Sequence, residues 1–427
     1  MQLLAVAALL IHGAWAGPDD AAGWGDLSDF AQAAEPAPVH EARLYGFIDA
    51  YWEAVANAPE GIDENGETQW GGGGHEFDIP NMVVMLQGSL HGKYRYFLNL
   101  TSPGSGSATS DEPVQVRNAW VEAPIYGGYL KVRAGKLYRR FGLYNEILDA
   151  VPTFIGIEPP ELFDKDHLML TRTTNLMLFG EATVGAGTLN YALTTGNDER
   201  TGGAIPLGAD VHYLTSVIKV GSSFYTTGGP AAPSRSVGEG SPRGGVANWM
   251  AEDRYVIYGG YVEATPGNLV VQAEYWQADH NATRDPEAVA QLAEGGLNER
   301  QLNRFFQEGD PANGTRNPNV QYGVRTAYLR AGYQVPVGAK GSVTPYLQGD
   351  YYANPEIVES KDLGGDAEAG QSDDGSFLKY TVGTVIRPVP EIALKLDGSA
   401  HQLQYNGATV FYPEVRVSFS YLWQFDL

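Results

Sequence analysis

Apolar and polar residues alternate with a period of two along most of the chain from Leu44 onward. The stretch from Val415 to Phe425 shows the pattern most clearly, because its odd positions are apolar and its even positions are mostly polar. A period of two places the two kinds of side chain on opposite faces of a β-strand. Runs of about ten such residues have the length that a tilted strand needs to cross a bilayer. The pattern therefore predicts an all-β protein with membrane-spanning strands.

Sixteen candidate strands follow from the alternation. They start near residues 42, 77, 94, 114, 129, 170, 188, 209, 222, 254, 269, 321, 342, 377, 392 and 411. Every second connection is short, and these are 91–93, 126–128, 184–187, 219–222, 265–268, 336–341 and 387–391. The others are longer, and these are 54–76, 102–113, 138–169, 196–208, 229–253, 280–320, 353–376 and 403–410. This alternation predicts a transmembrane antiparallel β-barrel of about sixteen strands with short periplasmic turns and long extracellular loops.

Soluble β architectures explain these features less well. A β-sandwich does not require its turns to alternate in length. A propeller would show a blade repeat of about 40 residues, and the sequence has none. Hydrocarbon cannot satisfy backbone N–H and C=O groups, so strands cross a membrane only as a closed sheet.

The N-terminal region differs from the barrel. Residues 1–16 are predicted to be a signal peptide, because Leu3 to Ile11 is apolar and Ala14-Trp15-Ala16 fits the small–x–small cleavage pattern. No basic residue precedes the apolar run, so an ordinary apolar segment is the alternative. Residues 17–41 are acidic and rich in Ala and Pro, which predicts a solvated periplasmic tail. The barrel is predicted to occupy residues 42–427.

Composition narrows the possible functions. The chain has 28 Lys and Arg residues against 51 Asp and Glu residues, a formal charge of −23, which argues against a general nucleic-acid binder. It has no cysteine, so disulfides, thiolate metal sites and cysteine nucleophiles are excluded. Segments 17–41, 54–76 and 353–376 hold eighteen of the acidic residues and one base. The net charge therefore belongs mainly to the tail and loops, and Glu356 is expected to lie in open solvent.

Three stretches resemble the bacterial outer-membrane porins, nearest in style to the phosphate-selective porin O and P group. They are Tyr45–Tyr51, Arg117–Glu122 followed by Leu130–Lys136 and Phe141-Gly142, and the aromatic final strand. The chain departs from the family at Leu427, where porins usually end in an aromatic residue. The resemblance implies a homotrimeric diffusion channel whose last strand is recognised by the barrel-assembly machinery.

The connection 138–169 is far more apolar than a solvated loop. It is predicted to fold inward and narrow the channel, as the third loop does in porins. Its charged residues are Arg139, Arg140, Glu158, Glu161, Asp164, Lys165 and Asp166. They would face basic residues of the wall, namely Lys131, Arg133 and Lys136, and the alternation places further basic residues in the lumen, namely Arg95, Arg330, Lys379, Lys395 and Arg416. Opposed charges across a constriction set up a transverse field that discriminates between solutes.

Two alternatives remain for these charges. The loop could only brace the barrel or contact a neighbouring subunit. The inward faces also carry carboxylates, namely Asp49, Glu122, Glu274, Asp350 and Asp397. With both signs on the wall, the sequence does not distinguish anion from cation selectivity.

No catalytic, cofactor or metal site is predicted. Residues 164–167 contain two carboxylates and a histidine, but such surface clusters are usually solvated. Asp397, Ser399 and His401 share one strand face, where residues two apart are about 6.6 Å from each other, too far for a hydrolytic triad.

The sequence thus predicts a porin of the bacterial outer membrane, a passive channel for small hydrophilic solutes or ions, surrounded by outer-membrane lipid. The main alternative is a receptor or adhesin that uses its long loops, especially 280–320. A barrel-embedded hydrolase or a sheath for another protein is a more distant possibility.

Overall fold

The computed structural model describes residues 40–62, 66–71, 73–103, 114–147, 151–160, 173–197, 205–230, 243–294, 297–359 and 367–426. The predicted signal peptide 1–16 lies outside the described residues, as does almost all of the predicted tail 17–41. Four loop residues of the predicted constriction also lie outside them, namely Glu161, Asp164, Lys165 and Asp166.

Nineteen strands are formed by the described residues. They are β1 (His40–Val55), β2 (Pro59–Ile62), β3 (Thr68–Trp70), β4 (Gly74–Leu90), β5 (Tyr94–Pro103), β6 (Gln115–Tyr126), β7 (Leu130–Leu137), β8 (Thr173–Val184), β9 (Gly187–Gly196), β10 (Leu207–Leu214), β11 (Ile218–Pro230), β12 (Met250–Ala264), β13 (Leu269–Arg284), β14 (Asn319–Tyr333), β15 (Val335–Val337), β16 (Gly341–Ala353), β17 (Ser376–Arg387), β18 (Ile392–Tyr405) and β19 (Ala408–Asp426). Sixteen of these are long, and each predicted strand start lies within four residues of an observed one.

The sixteen long strands form a closed antiparallel ring. Each pairs with its neighbours in the chain, and β1 pairs with both β4 and β19, from Arg43 opposite Asp426 to Val55 opposite Glu414. The short β15 extends β14 along β16, and β2 pairs with β3 in the first long connection. A closed ring leaves no unpaired sheet edge, which is the condition for crossing hydrocarbon. The predicted fold class is confirmed.

One connection differs from the predicted pattern of lengths. The stretch 403–410 was expected to be a longer loop, but β18 and β19 are joined by a two-residue turn, Asn406-Gly407. Both residues have positive φ, 51° and 77°. Positive φ at both positions is what a tight type I′ hairpin requires, and Asn-Gly is its preferred sequence. The strict alternation of short and long connections therefore fails at this hairpin.

The barrel wall is polar inside and apolar outside. On β13 the inward side chains of Gln272 and Glu274 are buried. Tyr275, the residue after Glu274, lies on the outer face and is 48% exposed. Large apolar side chains such as Leu193 and Val382, each 63% exposed, lie on the outer face of other strands. An outward apolar surface is unfavourable in water and favourable against lipid chains.

Several long connections fold back onto the barrel. They contain helices α1 (Pro286–Glu294), α2 (Glu299–Phe305) and α3 (Ala367–Gln371), and among the described residues no helix is long and apolar enough to cross a membrane. Trp249, Phe305 and Ile357 from three different connections are fully buried in one apolar cluster with inward residues of the strands. We call the assembly of segments 243–249, 285–294, 297–318, 354–359 and 367–375 the cap.

The cap corrects the expectation that Glu356 lies in open solvent. Glu356 is 3% exposed, and its carboxylate is 2.7 Å from the Arg284 guanidinium. Burial also lowers the pKa of the nearby Arg304, whose guanidinium donates to the carbonyl oxygens of Ile357 and Asp373. A carboxylate in an ion pair of this kind is a structural element of the cap rather than a solvated loop charge.

Candidate functional site

The described part of the connection between β7 and β8 lies against the inner wall of the barrel. We call residues 138–160 the third loop. The Gly142 amide donates to Ser223 Oγ (3.1 Å) on β11, and the Leu143 amide donates to the Glu274 carboxylate (3.2 Å) on β13. Farther along, the Ile157 amide donates to Asp397 Oδ2 (2.9 Å) on β18. Inward side chains of the barrel thus satisfy the backbone of the loop.

Apolar side chains explain why this loop leaves the solvent. Phe141, Tyr144 and Phe154 are 2%, 1% and 0% exposed. The Phe141 ring lies 4.2 Å from that of Trp276, and the Tyr144 ring lies 5.2 Å from that of Phe154. Burying a side chain of this size contributes about 1.5–3 kcal/mol relative to leaving it exposed.

Tyr144 connects the loop to the wall through its hydroxyl. The hydroxyl donates to Gln272 Oε1 (2.6 Å) and accepts from Arg330 Nη1 (2.5 Å). Burial raises the pKa of Tyr144 to about 12, so the phenol stays neutral at physiological pH. Arg330 also donates to the Glu158 carbonyl oxygen (3.4 Å), so a single guanidinium holds both parts of the loop.

The far part of the loop is held by a second group of charges. Lys395 Nζ donates to the Gly156 carbonyl oxygen (2.7 Å). The Glu158 carboxylate pairs with the Arg416 guanidinium and lies 3.7 Å from Lys379 Nζ. Arg416 also pairs with Glu53 on β1 at 2.8 Å. We call the five charged residues Glu53, Glu158, Lys379, Lys395 and Arg416 the tip cluster. It brings together the predicted wall residues Lys379, Lys395 and Arg416.

The basic residues on β5, on β7 and at the start of the third loop are also paired. Arg133 lies 2.7 Å from Glu122 on β6 and 3.7 Å from Glu146 on the loop, and Arg140 lies 3.1 Å from Glu146. Arg95 lies 3.8 Å from Glu122. We call these five residues the wall cluster. Although burial opposes its charge, Glu146 and Asp210 raise the pKa of Arg140.

Aromatic rings support the charges of the wall cluster. The Arg133 guanidinium lies 4.1 Å from the ring centre of Trp120 and 5.1 Å from that of Phe179. Arg140 lies 5.2 Å from the same Phe179 ring. A cation over a ring face is stabilised by about 0.5–2 kcal/mol.

Three further predicted residues have separate positions. Lys131 lies 3.7 Å from Glu181, and Arg139 donates to the Asn197 carbonyl oxygen (3.1 Å). Lys136 requires a correction, because it is exposed and has the opposite parity on β7 from Lys131. A period of two places it on the outer face, away from the lumen.

The pairing of loop and wall charges also differs from the expectation. Glu158 was expected to face Lys131 and Arg133, but it contacts the basic residues of the tip cluster. The loop carboxylate that faces Arg133 is Glu146, which sequence reasoning missed. Glu146 could have been noticed as the first carboxylate of an otherwise apolar loop segment, six residues after Arg140.

Residues that suggested a hydrolase have other partners. Asp397 accepts from the Ile157 amide, the Ser399 and Thr381 hydroxyls are 2.9 Å apart, and His401 Nε2 lies 2.8 Å from Glu414. The three side chains do not form a triad. The described residues include no cluster of metal-ligand type, and the candidate at 164–167 lies outside them.

The barrel is similar to several solved outer-membrane channels. The anion-selective porin from Comamonas acidovorans is 14% identical, with 90% of this chain and 100% of that chain covered and a TM-score of 0.54. The channel DcaP of Acinetobacter baumannii is 11% identical, with 90% of this chain and 97% of that chain covered and a TM-score of 0.52. The trimer form of OmpT from Vibrio cholerae is 11% identical, with 90% of this chain and 100% of that chain covered and a TM-score of 0.51. No protein-family model and no curated protein matches the sequence.

At these identities the similarity establishes the fold. The closed sixteen-stranded ring and its apolar outer surface require a lipid bilayer around the barrel. The chain therefore has the fold of the outer-membrane porins and is located in the bacterial outer membrane.

Proposed function

We propose that the protein is a porin, a passive diffusion channel for small hydrophilic solutes or ions. The observation that supports this most directly is the position of the third loop, which side chains from β11, β13, β14 and β18 hold inside the barrel. A barrel of sixteen strands encloses an aqueous lumen rather than a filled core. A loop fixed inside that lumen narrows the channel.

The charges of the two clusters indicate weak selectivity. In the wall cluster three arginines face Glu122 and Glu146. In the tip cluster three basic residues face Glu53 and Glu158, and two of them, Lys379 and Arg416, also pair with the buried Glu414. A ring of one sign is needed for strong selection. Paired charges instead give a local field that orients polar solutes.

The proposal includes three finer points. The trimer form of OmpT supports a homotrimer for this chain as well. The resemblance of the three stretches named above to the phosphate-selective porin O and P group remains part of the proposal. No reaction is assigned to the barrel, and its partners are outer-membrane lipid, the barrel-assembly machinery and the permeating solutes.

A receptor or adhesin is the second candidate, because the cap is a packed structure. Its helix α2 begins with a capping box formed by Asn298 and Gln301, and Asp373 accepts from the backbone amides of Asn406 and Gly407. Loops that only surround an entrance do not need such order. An ordered surface is what a binding partner recognises.

Single-channel recording of refolded protein in planar bilayers separates these functions. We expect discrete conductance steps whose reversal potential in a salt gradient stays close to zero. Protein unfolded by heat before addition is the matched control. Silent insertion of folded barrels would refute the channel and favour the receptor.

A further inference from the structure

The apolar outer surface is not equally tall around the barrel. On β19 the outward side chains are apolar from Phe425 through Phe411. On β13 the outward positions are apolar from Leu269 to Tyr275, and the following ones are polar, namely Gln277, Asp279 and Asn281. The apolar surface is therefore much shorter on the β13 side.

The neighbouring strand changes at the same level. On β14 the outward residues Leu329 and Ala327 are followed toward the loop end by Arg325 and, two outward positions farther, Gln321. Tyr275 pairs with Ala327, and Gln277 pairs with Arg325. The polar residues thus form one continuous patch on the outside of the barrel.

This patch forms a groove of about 770 Å³. Its polar lining includes Arg254 on β12, Arg325 on β14 and the amide side chains of Gln277, Asn281 and Gln321. Both arginines are exposed. Among the described residues, no carboxylate forms an ion pair with either of them.

Asp279, the acidic residue of the groove, is already engaged. Its Oδ2 accepts from the Tyr258 hydroxyl (2.9 Å), and its Oδ1 accepts from Gln277 Nε2 (2.6 Å). The carboxylate is therefore fixed on the outer face by two neutral donors, and the groove carries two positive charges against one negative charge. The groove keeps two cationic groups that have hydrogen-bond donors to offer.

The depth of the arginines indicates what they meet. Arg325 is eight residues from Tyr333 at the turn end of β14, which corresponds to about 26 Å along the strand and about 20 Å along the membrane normal at a tilt of about 40°. Arg254 is ten residues from Ala264 at the turn end of β12, or about 25 Å along the normal. The apolar band of such barrels is about 25 Å tall. Both arginines lie toward the loop end of this band, at or above the level where the outward side chains change from apolar to polar, which is where acyl chains give way to headgroups of the outer leaflet.

We propose that this groove binds the phosphorylated headgroup of an outer-leaflet lipid. Guanidinium groups bind phosphate through paired hydrogen bonds. The register places the Cα atoms of Arg254 and Arg325 about 16 Å apart, two strands and four residues from each other. This separation suits a headgroup with two phosphates on a disaccharide. The amide side chains of Asn281 and Gln321 can bond its hydroxyl groups, and Tyr275 and Leu329 below can contact its acyl chains.

The test uses the refolded full-length barrel in detergent, with bound lipid counted by native mass spectrometry. The probes are diphosphoryl lipid A, dephosphorylated lipid A and inorganic phosphate. We expect R254Q/R325Q to weaken binding of diphosphoryl lipid A about 30-fold. The matched control is K93Q/K340Q, which removes two exposed cations at the turn end and should leave this binding unchanged. Heat-modified mobility on a gel shows that each variant is folded.

Three results would overturn the proposal. The first is equal binding of diphosphoryl lipid A by the wild type and R254Q/R325Q. The second is that the wild-type protein binds dephosphorylated lipid A as tightly as diphosphoryl lipid A, or that inorganic phosphate at the same concentration displaces the lipid. Either result means that the phosphorylated lipid is not the ligand. The third is dissociation of an oligomer by R254Q/R325Q with lipid binding intact, which would assign this face to a second copy of the chain.

Discussion

Replacing Tyr144 by Phe is expected to loosen the third loop without affecting the barrel. The substitution removes a hydroxyl that donates to Gln272 (2.6 Å) and accepts from Arg330 (2.5 Å). Arg330 is 1% exposed, so water cannot readily take the place of that hydroxyl. A buried polar group left without its partner costs about 1–3 kcal/mol.

That cost can be read as a rate. If the loop must open locally before its amides exchange, the equilibrium constant for opening rises tenfold for each 1.4 kcal/mol of lost stability. A loss of about 1–3 kcal/mol therefore gives about 5- to 150-fold faster amide exchange. Hydrogen–deuterium exchange of a peptide that covers the Leu143 amide measures it directly, because this amide donates to Glu274 inside the barrel. Single-channel records of Tyr144→Phe should show more frequent current fluctuations, since the loop is proposed to define the narrow part of the path.

Tyr333→Phe is the matched control, because Tyr333 is 52% exposed on the outer face. It removes the same hydroxyl and should change neither exchange of the loop nor the current. Strand peptides should exchange alike in both variants. Unchanged exchange at Leu143 in Tyr144→Phe would show that the hydroxyl does not hold the loop, and the reasoning would fail.

Three other substitutions test different parts of the molecule. Glu356→Gln leaves its arginine partner buried without a counter-charge, so the cap should lose about 3–5 kcal/mol and external protease should cut 354–375 faster; unchanged cleavage contradicts the buried pair. Lys131→Gln should shift the reversal potential in a salt gradient toward the value of a more cation-selective channel. Arg300→Gln should leave the reversal potential unchanged, because the Arg300 side chain in the cap is 62% exposed and its charge is screened by salt. Equal shifts in the two variants would mean that the wall does not line the path. Phe425→Asp places a charge on the outer face and should block membrane insertion, while Gln424→Asp should insert normally; normal levels of the first variant refute the assigned face.

The strands could be predicted because their signal is local. A barrel wall has one face toward lipid and one toward water, so a period of two persists through each strand and marks its bounds. The same rule, applied at Lys136, would have placed that residue outside. The Asn406-Gly407 turn was missed because loop length was inferred from strand bounds rather than from turn residues.

The partners of the loop charges could not be predicted in this way. Glu158 meets Arg416, 258 residues later, and Glu356 meets Arg284 at the end of β13. Such pairs depend on the path that each connection takes through space relative to the strands, and sequence spacing contains no record of it. Apolar composition indicated that the third loop packs on something, but only the tertiary contacts show that Glu146 rather than Glu158 faces Arg133.

The pairing of β1 with β19 has a consequence for how the protein is made. The first and last strands are hydrogen-bonded partners although almost the whole chain separates them, which makes this the least local pairing of the sheet and gives ring closure a large entropic cost. A nascent chain that lacks β19 has two open edges and cannot complete its hydrogen bonding in lipid. Insertion therefore has to follow synthesis, and truncated chains should accumulate as aggregation-prone intermediates rather than as smaller barrels.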